Sequence, residues 1–399
     1  MTLHEKHYDT VVIGAGPAGS TAAYILACQG YRVALVDKRH FPRPKLCAGV
    51  LTWKTIDLIR SIYGCSADEM IRQGIISHHT RNYRIFHGPT QFAQGRLDYP
   101  FHFADRMRYD HFWLERAIAA GAHALTGQAV CRVDPSRHMI ELADGRRMGA
   151  QVIIGADGVW SITRRALFPG PAAAKRWRGQ LAMAMETYCA PSPGKASQDD
   201  AALYFGLVPW GYAWSFPGPA GHRIAGICGL QEKNDKSMLK EFMEFRAALG
   251  SDIEFTTAIR GHALPLGNFL DPPGFGRILL VGDACGLADP LLGEGIYYAH
   301  RSAQTAARAI MRCAPDYSNL GQIYRAALRK DVLRELRWIK AFRNLLYWGG
   351  RRRRFRGLRL LFRLMPKRLE ASIQGQRSFS HLLCPPWLPQ RLTHQSRMP

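Results

Sequence analysis

The chain has 399 residues, 47% apolar and 21% charged; this excludes a disordered, collagen-like or coiled-coil protein and leaves room for two or three structural units. Lysine and arginine total 54 against 31 acidic residues, a formal charge of +23, which favours a polyanionic partner such as nucleic acid, an anionic membrane or an acidic ligand. The excess is uneven, because residues 325–368 hold sixteen basic and two acidic side chains, so the charge describes the C-terminal region more than the body.

In chain order, Tyr8 to Ile13 reads as a buried parallel strand, and Gly14-Ala15-Gly16-Pro17-Ala18-Gly19 follows at once. Ser20 to Gln29 has helical character and stops at Gly30, and Tyr31 to Val36 is a second strand with Asp37 at its end. This is a β-α-β unit with the dinucleotide fingerprint in place. Gly14 allows a tight turn, Gly16 lets backbone approach a pyrophosphate, and Gly19 lets helix and strand pack closely. The helix N-terminus offers free N–H groups to phosphate, and Asp37 can accept bonds from a ribose diol. The fingerprint alone does not separate NAD from FAD.

Further along, Arg106-Met-Arg-Tyr109-Asp110 opens a helix through Leu114 and Ala117. Gln151 to Gly158 is a strand ending in a Gly-Ala-Asp-Gly turn. Gly276 to Val281 is another strand, ended by Gly282-Asp283-Ala284, and Gly293-Glu294-Gly295-Ile296 then opens a helix. An Asp at a strand end can bind ribitol hydroxyls, and a glycine-rich helix start can aim amides at an electron-rich ring edge. Two other runs stand out, Pro44-Lys45-Leu46-Cys47-Ala48-Gly49 and Pro209-Trp210-Gly211-Tyr212-Ala213-Trp214-Ser215-Phe216-Pro217. Tyr212, Trp214 and Phe216 alternate as on one face of a strand. That face is either ordinary sheet core or the wall of an apolar tunnel, in which a hydrocarbon chain gains about 25 cal/mol per Å² buried.

The order of these motifs over residues 8 to about 310 resembles FAD-dependent oxidoreductases of the aromatic-hydroxylase type. The resemblance implies an α/β fold: a Rossmann-like FAD-binding domain, an inserted antiparallel-sheet substrate domain and, here, a C-terminal helical region. The expected division is 1–80, 104–172 and 274–312 for FAD, 81–103 and 173–273 for substrate, and 313–399 for the basic helical region with a loose Pro-rich tail from Cys384. Cofactor positions carried over are Gly14, Gly16, Gly19, Asp37, Arg106, Asp283, Gly295 and Ile296, with Val130 as a backbone contact to adenine; Lys38 and Gly49 complete the expected set.

The K-x-C-x-G and P-x-x-Y-x-W-x-F-P runs resemble the geranylgeranyl reductase family, which reduces isolated double bonds of polyprenyl chains. One departure is Cys47-Ala48-Gly49 where that family usually has C-G-G, at some loss of backbone freedom. The resemblance implies hydride transfer from reduced flavin to a polyprenyl C=C, with Cys47 as proton donor or shaper of the site and Tyr212 and Trp214 stabilising positive charge. NAD(P)H or ferredoxin remain open as electron donor. The alternatives are a monooxygenase or halogenase on the same scaffold, although the W-x-W-x-I-P signature of flavin halogenases is absent, or a non-catalytic membrane-surface flavoprotein. Glu186 and Tyr204 receive no role.

Nine scattered cysteines with no C-x-x-C pair point to reduced thiols and a cytosolic setting, and no zinc spacing is visible. The histidines, His78, His79 and His300 among them, show no metal spacing. A first strand at Tyr8 leaves no room for a signal peptide, and no run is long and apolar enough to span a membrane. Between 325 and 348, Leu328, Val332, Leu336, Ile339, Phe342 and Leu346 fall at helical spacing among basic residues. Gly349–Gly350 is expected to break this helix before the Arg351–Arg354 run and a second basic-apolar stretch to Met365. Such segments lie on anionic lipid or pack on the body with a solvated basic face; Trp348 and Phe355 could stack on bases, but no nucleic-acid module is legible. The expected location is the cytoplasmic, inner face of a membrane.

Overall fold

Val11, Val12 and Ile13 can be uniformly apolar because the strand Lys6–Ile13 is sandwiched between parallel neighbours, Val33–Asp37 and Arg147–Gly155. A computed structural model describes residues 6–191, 199–234, 238–250, 253–353 and 355–383 and shows this trio at the centre of one sheet. Its order is Gly274–Phe275, Ile278–Leu280, Arg147–Gly155, Lys6–Ile13, Val33–Asp37, His123–Thr126, and the hairpin Val130–Asp134/Met139–Leu142 pairs with Arg147–Gly155. The first strand begins at Lys6, two residues ahead of the expected Tyr8. The register brings Ile13, Gly155 and Leu280 side by side, so three motifs far apart in the chain end at one sheet edge. In such sheets the carboxyl ends of the strands are where ligands bind.

The helix Pro17–Cys28 starts with Pro at N1 and ends before Gly30, whose φ of 80° suits a left-handed C′ residue. Ala18, Ala22 and Ala23 on this helix and Ala303, Ala306 and Ala307 on Ile296–Cys313 are buried, and these small side chains let the two helices lie close together.

The second sheet runs Ile253–Phe255, Ala182–Pro191, Arg223–Leu230, Gly211–Pro217, Ala201–Phe205, Ile76–His87, Thr90–Ala104, Val50–Leu51, and Arg260–Leu264 also pairs with Ala182–Pro191. It is antiparallel except at one join, Ala201–Phe205 against Ile76–His87, which is parallel. The expected boundary at 80/81 falls inside the Ile76–His87 strand, and Val50–Leu51 from the expected FAD segment is its edge.

The C-terminal helices correct one expectation. Gly349–Gly350 does not break the helix, which runs unbroken as Arg334–Arg353; the chain turns at Phe355, with φ 53°. Leu328, Val332, Leu336, Ile339 and Phe342 are buried against the body, so the apolar stripe is an intramolecular face. The basic face is partly anchored, since Arg325, Arg329 and Arg337 converge on Asp271 at 2.7, 2.8 and 3.1 Å. Arg354 and the tail from Cys384 lie outside the described residues. Among the described residues no helix is long and apolar enough to cross a membrane.

Candidate active site

The glycine turn is shaped by what its neighbours leave no room for. A Cβ on Gly14, where φ is +100°, would lie 2.4 Å from the Ala156 carbonyl oxygen, and one on Gly19 would lie 1.7 Å from the Gly14 carbonyl oxygen. At Gly16 the space is open, with only Arg43 Nη2 within reach at 3.7 Å. That opening, at the N-terminus of Pro17–Cys28, fits a pyrophosphate. Asp37 closes the turn: its Oδ2 accepts the Ala15 N–H at 2.8 Å and its Oδ1 the Arg39 N–H at 2.8 Å. Lys38 beside it is exposed. The Gln128 N–H reaches the Asp37 carbonyl at 2.9 Å, which brings the start of Val130–Asp134 alongside Asp37.

Arg43 was not singled out in the sequence. Its guanidinium lies beside Gly16 and 3.3 Å from Asp110, whose carboxylate also takes both arms of the buried Arg106 at 2.9 and 3.0 Å. No spacing rule links residues 16, 43 and 110. Asp157 of the Gly-Ala-Asp-Gly turn accepts Ser161 Oγ at 2.6 Å and the Ile162 and Thr163 N–H groups at 2.7 and 3.1 Å, so its carboxylate caps the following helix. Asp283 and Gly295 are neighbours, with Asp283 Oδ1 3.5 Å from where a Gly295 Cβ would be.

A cavity lies against the second sheet, closed by the 46–50 and 289–296 loops and the last helices. Cys47 to Val50, Gly293 to Ile296, the Tyr212–Trp214–Phe216 face and, from the C-terminal helices, Phe362, Ile373 and Phe379 all line it. This last wall is strapped in place by Gln374: its Nε2 donates to the Tyr99 carbonyl at 3.0 Å, its Oε1 accepts the Trp53 N–H at 2.7 Å and its carbonyl the Lys54 N–H at 3.1 Å. The Tyr212 hydroxyl donates to the Leu292 carbonyl, tying the aromatic strand to the loop before Gly293. The Trp214 indole lies across Gly226, where a Cβ would come 2.1 Å from Cζ2, and its buried Nε1 has no hydrogen-bond partner among the described residues.

Most polar side chains lining the cavity are engaged elsewhere. Glu294 takes Thr52 and Thr55 hydroxyls at 2.7 and 2.9 Å and Lys54 Nζ at 2.7 Å. Asp289 accepts the Leu291 and Leu292 N–H groups at 2.7 and 2.9 Å. Glu370 accepts the Tyr83 hydroxyl at 2.8 Å.

A different group gathers at Cys47. Its N–H donates to Glu186 Oε1 at 3.0 Å, and its Sγ accepts the Gly49 N–H at 3.3 Å. Gly49 has φ +72° and backs onto the Ala104 carbonyl, where a Cβ would lie at 2.1 Å. Glu186 is 4% exposed, and burial pushes its carboxyl up to about 7 against the pull of the Cys47 N–H, Arg106 and Lys45. Burial lowers Lys45, and Asp283 partly offsets this. His262 Nδ1 donates to the Ala263 carbonyl at 2.7 Å, which leaves the Nε2 lone pair 3.4 Å from Lys45 Nζ.

The other residues weighed from sequence lie apart. Tyr204 stacks on Phe86 at 4.5 Å and meets Phe245 edge-on at 5.0 Å in a separate core. His300 is buried between the Thr21 and Tyr109 hydroxyls at 2.6 and 2.7 Å, and burial pushes it down to about 3, so it is a neutral core residue.

Residues 7–178 match the FAD binding domain family. A geranylgeranyl diphosphate reductase of Rhodobacter capsulatus is 31% identical over 76% of this chain and 75% of its own length. A digeranylgeranylglycerophospholipid reductase of Methanococcoides burtonii is 26% identical over 82% of each. Among solved structures, a geranylgeranyl bacteriochlorophyll reductase-like protein of Thermoplasma acidophilum superposes with a TM-score of 0.74 at 21% identity, covering 86% of this chain and 88% of that one. A flavin-dependent brominase superposes with a TM-score of 0.69 at 15% identity, covering 94% of each chain. At such identities the two structures attest the fold alone.

Proposed function

The chain belongs to the geranylgeranyl reductase family of FAD-dependent oxidoreductases, and on that premise we propose that it saturates isolated C=C bonds of a polyprenyl chain of the geranylgeranyl type. The observation that carries the proposal is one cavity bounded both by Gly293 to Ile296 and by the Tyr212–Trp214–Phe216 face. FAD, when bound and reduced, supplies hydride there. Gly16 would face its pyrophosphate, with Gly14 and Gly19 shaping the turn around it; Asp37, Lys38 and Val130 would serve the adenosine end, and Arg106, Asp283, Gly49, Gly295 and Ile296 the flavin end. Arg43 joins the pyrophosphate set on its position beside Gly16.

An isolated alkene has no carbonyl to hold developing charge. Protonation of one carbon leaves positive charge on the other, and the Trp214 and Tyr212 faces stabilise it by about 0.5–2 kcal/mol each. The Tyr212 hydroxyl is occupied by Leu292, so only its ring is offered. Apolar walls keep out the water that would hydrate the cation.

The substrate is a lipid, and the exposed apolar groups suit delivery from a bilayer. Leu345, Trp348, Leu360 and Leu364 are 60%, 82%, 55% and 65% exposed on the last long helices, with Arg356 and Arg363 exposed among them. We place this face on an anionic, cytoplasmic membrane surface. Sedimentation with anionic but not neutral vesicles at low salt is expected; equal recovery in both supernatants rejects it.

The deciding test is anaerobic incubation of the FAD-loaded protein with a prenyl lipid and either NADPH or reduced ferredoxin. Mass gain of two hydrogens per bond is expected. Substrate-dependent oxygen uptake with product oxygenation or halogenation supports instead the monooxygenase or halogenase reading, which the shared fold with a brominase keeps in view. Flavin reoxidation that ignores every lipid leaves a non-catalytic flavoprotein.

A further inference from the structure

We propose that Glu186, whose place in the sequence carries no motif, is the acid that protonates the substrate alkene. The proposal rests on the prenyl-reductase reading above and adds the proton donor it lacks.

Three features of the sheet converge on this carboxyl. Glu186 lies on the strand Ala182–Pro191, paired with Gly226 of Arg223–Leu230, and Gly226 is paired in turn with Trp214 of Gly211–Pro217. Residues paired in this way share a face, so Glu186, Gly226 and Trp214 form one row across three strands. The missing side chain at Gly226 lets the indole lie across the row towards Glu186. The acid and the ring therefore border the same stretch of cavity. The Cys47 N–H holds Oε1, which fixes the carboxyl against the segment leading to Gly49. Cys47 thus positions Glu186 through its backbone, whatever its thiol does.

The surroundings also suit an acid that must be reprotonated. The groups facing Glu186 are Lys45 and the Cys47 N–H from the loop, Arg106 from its helix, Tyr188 on its own strand and Arg260, its partner on the Arg260–Leu264 strand. Lys45 in turn meets His262 and Asp283. Burial keeps the carboxyl protonated up to about pH 7.

In the step proposed, the π pair of the alkene takes the Glu186 proton and forms a C–H bond at the less substituted carbon. The O–H bond breaks, leaving carboxylate and a tertiary cation beside Trp214. Reduced FAD, when bound, would supply the hydride that completes the saturated bond at that carbon. The carboxylate regains its proton from water once the saturated product has left.

The test uses the full chain loaded with FAD. In wild type without substrate, the visible spectrum of oxidised flavin should show a transition near pH 7, absent in Glu186→Gln. With substrate, Glu186→Gln should lower kcat on the order of 100-fold with KM little changed. Wild-type kcat should fall as pH rises through about 7, because the acid must be protonated, and Glu186→Asp should shift that limb. A Glu186→Gln protein with wild-type kcat and an unmoved alkaline limb overturns the proposal and leaves the prenyl reading standing. If Glu186→Gln does not retain FAD, the limb of Glu186→Asp decides in the same sense. Wild type that shows the flavin transition yet reduces no prenyl lipid overturns the reading itself, and with it the alkene as the destination of this proton.

Discussion

The glycine cradle and the apolar cavity meet at Gly293 to Ile296 but are built by opposite rules. The cradle's centre lies within thirty residues and works through backbone: amides at a helix start, two glycines pressed against carbonyls and one left open. The cavity draws its walls from the 46–50 loop, most strands of the second sheet, the 289–296 loop and the final helices, and works through side chains. Phosphate binding needs local N–H groups, which a short motif can specify. An apolar chamber needs only shape and dryness, which many sequences supply and none announces. The two should therefore fail separately.

The largest break is expected in the cradle. Gly19→Val would drive a side chain into the Gly14 carbonyl, and FAD affinity should fall by on the order of 100-fold or more, read as loss of colour on desalting. The next concerns stability. The folded Glu186 carboxyl titrates at about 7 against a reference of 4.5, so between these values the folded state binds more protons than the unfolded chain. Stability of the wild type should fall as pH rises through that window, by up to roughly 3 kcal/mol, and Glu186→Gln should lack this decline in urea titrations at pH 5 and 8. In the cavity, Trp214→Leu should cost roughly tenfold in prenyl turnover while FAD stays bound. If that variant loses flavin instead, the two regions are one cooperative unit and the contrast drawn above is wrong. The smallest effect is at Asp271→Ala, which frees three half-exposed arginines and should cost about 1 kcal/mol or less, shrinking with salt.

Legibility in the sequence follows the same divide. Gly14, Gly16, Gly19 and Asp37 were readable because a β-α-β unit fixes their spacing. Asp283 and Gly295 were readable because strand and helix flank them. Cys47 was placed near the flavin only through family likeness, and the structure gives it a neighbour, Glu186, 139 residues away. No periodicity predicts that pairing, since it depends on which strands of the second sheet lie together. The row Glu186–Gly226–Trp214 is likewise a matter of register, and a glycine in a strand reads from sequence as a weak spot rather than as space kept for an indole. In the C-terminal region the apolar spacing of Leu328 to Phe342 marks a helix stripe, but spacing does not say what covers the stripe. Gly349–Gly350 looked like a stop, and the helix Arg334–Arg353 carries through it.

The strap at Gln374 has a consequence for how the molecule comes into being. A ribosome releases the cradle strands and the Ile296–Cys313 helix well before it delivers Ile373, Gln374 and Phe379. A nascent chain thus holds the glycine turn and its flanking strands before the Ile373 and Phe379 wall of the cavity exists. The Gln374 bonds to Tyr99 and Trp53, which hold that end of the cavity wall, are therefore among the last long-range contacts the chain can make.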